Sequence, residues 1–373
     1  MEINSSGITE RKGRNVTIDL LRVVFSIIIF LNHSATLINS SEQTVPYFRY
    51  GFLGVEFFFI LSGYLMSAKA SRVMQNQYEI GPETVRFVLG KISSIFPWYI
   101  VAWIIGMIID GWGKEIHESY IHVFQSLPTI IQINMAGFNG YNVLKPTWYI
   151  SAMILSMMSL YPLLLRYKKT FNMAIAPVIC VFTYGIFFLK IGNLASLNDT
   201  VFGIIYTGLL RAIAGISLGC ICYACAQRLS ECPLKKVCKP IIAVLEILVF
   251  AVAILFQRTG LGFRPDFLFV CLAALGIILA FCRHNAFNDL FQVKKNWIGR
   301  FALCIYLSDV LSRMIILKLM PDATRDQRLL PAFGLLFLIA ILVFISGYIL
   351  RWITVKLTSV CKKAFLNELP NKQ

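Results

Sequence analysis

The apolar residues of this chain fall in runs long enough to cross a bilayer, and the first run carries ionisable groups inside it. It opens at Asn15, passes through Ile18, Asp19, Leu20, Leu21 and Arg22, and continues apolar to Asn32, His33 and Ser34. A membrane span needs about 20 mostly apolar residues. A charge near its centre costs at least ~2.5 kcal/mol, so such charges are kept for a function or reach water by snorkelling. Arg22 and His33 are eleven residues apart. At ~100° per residue that spacing returns them to one helix face, roughly 16 Å apart along the axis. With a cytoplasmic N-terminus, Arg22 lies toward the inner side and His33 toward the outer. The pattern predicts a site reached from both sides of the membrane.

Composition sets the class. Hydrophobic residues make up 57% of the chain and charged residues 14%, with a mean hydropathy of +0.70, where a soluble domain carries roughly 25% charge. The formal net charge of +16 is expected from Lys and Arg enrichment in cytoplasmic loops, so no nucleic-acid partner is inferred. The first apolar run is too long for a cleavable signal peptide and lacks a small-residue cleavage site. The ten cysteines show no paired extracellular spacing, and no disulfide framework is expected. Cys220, Cys222, Cys225, Cys232 and Cys238 have no histidine beside them and irregular spacing, so free thiols are expected there rather than a metal.

Apolar run length predicts an all-α, polytopic membrane helix bundle of about ten transmembrane helices, at 17–39, 51–70, 94–111, 146–165, 171–189, 201–227, 241–257, 266–282, 297–318 and 330–355. Arg11, Lys12, Arg14, Lys69, Arg72, Arg166, Lys168, Lys169, Lys235, Lys236, Lys294, Lys295, Lys362 and Lys363 then fall on one side, which places both termini in the cytoplasm. The organisation expected is a basic tail over 1–16, a bundle over 17–358 and a C-terminal tail over 359–373. Between spans two and three, Gly81-Pro82-Glu83 is a helix-start signal followed by Val85, Phe87, Val88 and Ile92. This segment predicts an amphipathic helix on the inner leaflet. The largest outer segment, 111–145, holds Trp112, Tyr120, Phe124, Phe138 and Tyr141. Interfacial anchoring and stacking of a bound ligand both suit such aromatics.

The second run, Phe52-Leu53-Gly54-Val55-Glu56-Phe57-Phe58-Phe59-Ile60-Leu61-Ser62-Gly63-Tyr64-Leu65, together with Arg22 and His33 in the first, resembles the integral-membrane acyltransferases of the acyltransferase 3 family. The resemblance covers most of the chain and is strongest over the first 65 residues. It implies transfer of an acyl group, usually acetyl from acetyl-CoA, to carbohydrate outside the cytoplasmic membrane, and hence a multi-pass location in a bacterial cytoplasmic membrane. Lys91-Ile92-Ser93-Ser94-Ile95-Phe96-Pro97 stands where the family usually carries two arginines before an apolar-Pro turn. Lys is a point charge rather than a planar fork, so Arg86 is a candidate substitute. Arg211, followed by Gly219, matches a recurrent family arginine. Asp309 stands where many relatives have His, and no role is transferred to it.

Acyl transfer from a thioester needs a base for the acceptor hydroxyl and a donor for the developing oxyanion. His33 is the expected base; His117, His122 and His284 fall in loops or at a helix end. Glu56 is expected at similar depth, where a carboxylate orients an imidazole or serves packing alone. Arg22, Arg86, Lys91 and Arg211 are the expected coenzyme contacts, with neutralisation of Glu56 or Glu246 as Arg211's alternative. Trp148 and Tyr149 open the fourth span and are the expected acceptor-side residues, an interfacial anchor being the alternative for Trp148. Asp309 and Arg313 are four apart and expected to pair. Gly63 is expected to admit close helix contact, and Ser62 lacks an adjacent base that would make it a nucleophile. The expected function is therefore a membrane O-acetyltransferase acting on a cell-surface glycan or exopolysaccharide, with acetyl-CoA as donor, no metal, and a possible partner in polysaccharide assembly. A transporter or flippase, and a non-catalytic sensor, are the alternatives.

Overall fold

The computed structural model describes residues 14–38, 45–138, 140–196, 199–201, 203–233, 235, 237–259, 265–283, 285–286, 292–293 and 297–368. The N-terminal tail up to residue 13, His284, Lys236, Lys294 and Lys295 lie outside them.

Helices α1 (Val16–His33), α2 (Gly54–Val73) and α3 (Ile80–Gly111) are followed on the outer side by short α4 (Ile116–Gln125) and α5 (Leu127–Ile130). Helices α6 (Trp148–Tyr167), α7 (Ala176–Lys190), α8 (Thr207–Glu231) and α9 (Cys238–Thr259) continue the bundle. It closes with α10 (Asp266–Phe281), α11 (Trp297–Leu319) and α12 (Arg325–Glu368). Eight helical segments are long and apolar enough to span a membrane. The 16-residue α10 and the charge-bearing α11 bring the bundle, among the described residues, to the expected ten.

Contacts distant in sequence agree with an alternating path. Arg14–Asn15 pairs antiparallel with Gln292–Val293, and Arg283 N donates to Ser230 Oγ at 2.9 Å, both on one side. On the other side Tyr50 N donates to the Gln257 carbonyl at 2.9 Å and Tyr47 Oη to Asp326 Oδ1 at 2.8 Å. The N-terminal start of α1 and the start of α11 therefore share the face that the basic residues assign to the cytoplasm. Asn15 caps α1 by accepting from Ile18 N at 3.1 Å, and its amide donates to Ala280 O at the inner end of α10.

The close approach expected at Gly63 is observed. A Cβ there would run into the Ile216 carbonyl on α8, and one at Gly219 into Ile60 O and Tyr64 N on α2. The two glycines let α2 and α8 cross backbone to backbone, as small residues do where helices meet in lipid.

Two expectations change. The segment after span two is not a separate surface helix: α3 runs unbroken through 32 residues, with Pro97 inside it. At ~1.5 Å per residue it is about 48 Å long, against a hydrocarbon core of about 30 Å, so its basic first turns extend the third span beyond the core. Glu83 is buried, and the Phe87 ring stacks on Tyr161 of α6 at 3.9 Å, which fixes that extension to the bundle.

The outer segment is also deeper than its composition suggests. Tyr99 Oη donates to Thr129 O at 2.8 Å and Tyr306 Oη donates to Pro146 O. Tyr99 lies about 18 Å below the outer end of α3, and Tyr306 about 20 Å below that of α11, at ~1.5 Å per residue. Residues 126–138 and 140–147 thus re-enter the bundle. Their backbone is met by protein: Ser151 Oγ donates to Gln132 O at 2.9 Å and accepts from Met135 N at 3.1 Å. Non-helical backbone at membrane depth is tolerated only under such cover.

Candidate active site

Helix α1 packs along α11, with Ser26 Oγ donating to Ala302 O at 3.2 Å. One face of α11 carries Ala302, Tyr306, Asp309 and Arg313 at helical spacing. This packing brings His33 Nδ1 to 2.5 Å from Asp309 Oδ2. Arg313, one turn on, sets Nε 3.0 Å from Asp309 Oδ1 and Nη2 3.4 Å from Oδ2, so the expected Asp309–Arg313 pair is present. Its Nη1 donates to Thr36 Oγ1 at 2.6 Å in the turn after His33. Arg328, buried on α12, donates to the carbonyls of Leu37 (2.8 Å), Met320 (2.8 Å) and Pro321 (2.5 Å) and so ties that turn to the α11–α12 corner.

Beside the Arg313 guanidinium, Asp309 is an acceptor, so Nδ1 of His33 donates to it; in the neutral ring that leaves the lone pair on Nε2. A carboxylate holding the imidazole in that tautomer is the arrangement of a general base. The His33 side chain is 30% exposed and Asp309 1%, so the imidazole is reachable while the carboxylate behind it is buried.

The expected His33–Glu56 pair is corrected. Helix α2 packs on α8, which puts Glu56 Oε1 2.7 Å from Arg211 Nε and Oε2 3.0 Å from Tyr184 Oη. Both oxygens are used, and the carboxylate on His33 is Asp309. Of the two partners considered for Arg211, Glu56 is the one it meets; Glu246 instead accepts from Asn285 Nδ2 at 2.6 Å.

Trp148 and Tyr149 follow the re-entrant segment and lie deep in the bundle rather than at its outer interface. The Arg211 guanidinium sits 5.4 Å from the Trp148 ring centroid. Tyr149 packs against Phe59 at 4.9 Å and Tyr306 at 5.8 Å. Ser62 Oγ donates to Met153 Sδ at 3.3 Å, with Tyr149 beside it.

On the inner half, Arg22 lies 3.4 Å from Asp19 Oδ1. Its charge reaches Lys91, which is half-buried on α3, and Tyr149. Arg22 and Lys91 therefore lie within electrostatic reach of each other. Arg86 does not join them: its side chain is 78% exposed and pairs with Glu83 at 2.7 Å. In the outer segment, Tyr141 stacks on His122 at 3.8 Å, and both bond to Asp110. Burial and the Asp110 hydrogen bond raise the Tyr141 phenol above its ordinary pKa. The thiols of Cys220 and Cys222 bond to carbonyls on different helices, Gly63 O and Ala274 O, and so point apart.

Sequence reasoning passed over Asp309 as a functional group, along with Arg313, Tyr306 and Tyr184. Asp309 and Arg313 carried a signal, as two charges in an apolar run; the tyrosines carried none.

A bundle of hydrophobic helices carrying a histidine–carboxylate–guanidinium cluster at the outer end of α1 defines a multi-pass membrane protein. A family model described as an acyltransferase domain, that of the acyltransferase 3 family, matches residues 15–352. The chain belongs to this family and is a membrane acyltransferase. No curated protein and no solved structure matches it.

Proposed function

We propose that the protein transfers an acyl group, acetyl by preference, from cytosolic acyl-CoA to a hydroxyl of a cell-surface or exported glycan at a bacterial cytoplasmic membrane. The observation that carries this reading is the His33–Asp309 contact on the helix face that also bears Arg22. A reachable imidazole nitrogen sits toward the outer side and two cations, Arg22 and Lys91, toward the inner. Phosphates of a coenzyme suit the cationic end, and an acceptor entering from outside meets the base.

In the reaction the acceptor hydroxyl gives its proton to Nε2 of His33 as its oxygen attacks the acyl carbon. The imidazolium that forms is stabilised by Asp309, and it returns the proton to the departing thiolate. Trp148 and Tyr149 border the path on the acceptor side. A second protein of polysaccharide assembly would present or collect the glycan.

The test is transfer of label from acetyl-CoA in membranes containing the protein, with extracted envelope glycan as acceptor, for wild type, His33→Ala and Arg22→Ala at matched expression. Label incorporated by wild type and lost in both variants is the expected result. Incorporation that survives His33→Ala removes the base. Folded protein that transports solute and transfers no acyl group from a broad donor panel overturns the enzyme reading.

A further inference from the structure

The Glu56–Arg211 pair leaves one group over. Arg211 is wholly buried and its Nε is spent on Glu56, while Nη2 has no hydrogen-bond partner among the described residues. One helical turn earlier on α8, Thr207 Oγ1 is also wholly buried and without a partner. Positions four apart lie on one helix face. Trp148 roofs this face: its ring lies 5.4 Å from the guanidinium, and a Cβ at Gly208 would sit 3.0 Å from Cε3 and Cζ3. Polar hydrogens buried without an acceptor are costly, and a pair of them a turn apart under an aromatic ring is a place built for an oxygen.

The charge balance says which oxygen. Glu56 neutralises Arg211 at 2.7 Å, so the pair offers no net charge to a phosphate. Arg211 also lies about 6 Å, at ~1.5 Å per residue, from the outer end of α8, whereas Arg22 and Lys91 hold the inner side. A neutral acceptor oxygen that gains negative charge only during reaction fits two spare donors better than a standing anion. Tyr306 connects the two halves, since it lies within electrostatic reach of both Arg211 and Asp309.

We propose that Arg211 Nη2 and Thr207 Oγ1 form the site of the acyl carbonyl oxygen, a reading that rests on the thioester donor proposed above. When the acceptor oxygen bonds to the acyl carbon, the carbonyl π pair moves onto this oxygen and the acceptor's proton goes to His33 Nε2. The two donors hold the oxyanion. Its collapse re-forms the C=O bond and breaks the C–S bond; the sulfur leaves with the bonding pair and takes the proton from His33, giving ester and thiol.

The experiment compares binding of acetyl-CoA with that of S-ethyl-CoA, a thioether that lacks the carbonyl, to the purified full-length chain. Wild type should prefer acetyl-CoA by about tenfold, as for a hydrogen bond from a charged donor. Thr207→Val and Arg211→Lys should bring that preference toward unity and leave S-ethyl-CoA affinity unchanged. Turnover should fall about 10²-fold in Arg211→Lys, as when one oxyanion donor is lost. Thr207→Ser should behave as wild type. Thr207→Val does not disturb the Glu56 pair, so it decides the matter if Arg211→Lys fails to fold. An undiminished preference in folded Thr207→Val overturns the carbonyl site alone. Wild type that binds neither compound overturns the thioester donor reading, and this site with it.

Discussion

Two acid–base clusters lie in the bundle, built from the same chemistry and opposite in exposure. In one, Asp309 is shared between Arg313 and His33, whose side chain is 30% exposed. In the other, Glu56 is shared between Arg211 and Tyr184, with the ion-paired side chains 0% and 1% exposed. Each is a carboxylate neutralised by one guanidinium with a third polar group on one of its oxygens. The third group decides the outcome. A tyrosine hydroxyl completes a buried cluster, whereas an imidazole brings a second nitrogen on a partly exposed side chain. Two buried carboxylates that look alike in sequence therefore meet different partners, an imidazole at Asp309 and a phenol at Glu56.

The largest separation between the clusters should come from deleting the group that makes them differ. His33→Ala should lower acyl transfer by ~10²–10⁴-fold, the range for loss of a general base, with the thermal midpoint of the purified protein close to wild type. Glu56→Ala should show first in stability. It leaves Arg211 buried without its counter-charge, and breaking a buried pair in this way costs about 3–5 kcal/mol. The expected result is loss of folded yield and a lowered midpoint in detergent. The double variant Glu56→Met with Arg211→Met should recover much of that stability, since a matched apolar pair removes both desolvation costs. If Glu56→Ala were stable but inactive and His33→Ala the unstable one, the roles assigned to the clusters would be reversed.

Sequence made the first cluster half legible and the second hardly at all. The spacing of Arg22 and His33 displayed a two-sided helix face without any partner, because periodicity within one helix is local information. The Asp309–Arg313 pair was legible for the same reason. Which carboxylate meets His33 depends on helix neighbours, and nothing in the first two spans records that α1 lies on α11 while α2 lies on α8. Gly63 and Gly219 hinted at the second contact, since small residues mark close crossings, yet each glycine alone names no partner. The re-entrant course of residues 126–138 and 140–147 was hidden by a composition like that of an exposed loop. Its cover comes from Tyr99, Ser151 and Tyr306 on other helices.

Within the first cluster, Asp309→Asn tests orientation rather than charge alone. An amide in place of the carboxylate can donate to Nδ1, which would move the proton to Nε2 and remove the acceptor lone pair. Transfer should fall by about 10²-fold, less than for His33→Ala, because a fraction of the imidazole still takes the productive tautomer. Protein yield should stay near wild type, since Arg313 retains Thr36 as a partner. Asp309→Asn with full activity would show that Asp309 only packs beside the base.

The smallest effects should separate the two basic residues of α3. Lys91 is half-buried and within the field of Arg22, whereas Arg86 is 78% exposed and paired with Glu83. A cation in partial shelter is screened less than one in water, so Lys91→Ala should raise the donor KM by about tenfold with little change in kcat, the signature of lost ground-state binding. Arg86→Ala should leave both constants unchanged, because an exposed ion pair contributes little and the burial of Glu83 against α6 does not depend on it. A donor KM that rises in Arg86→Ala instead would move the phosphate contact out to the projecting first turns of α3. The inner boundary of the site would then lie about one and a half turns nearer the cytoplasm than Lys91 places it.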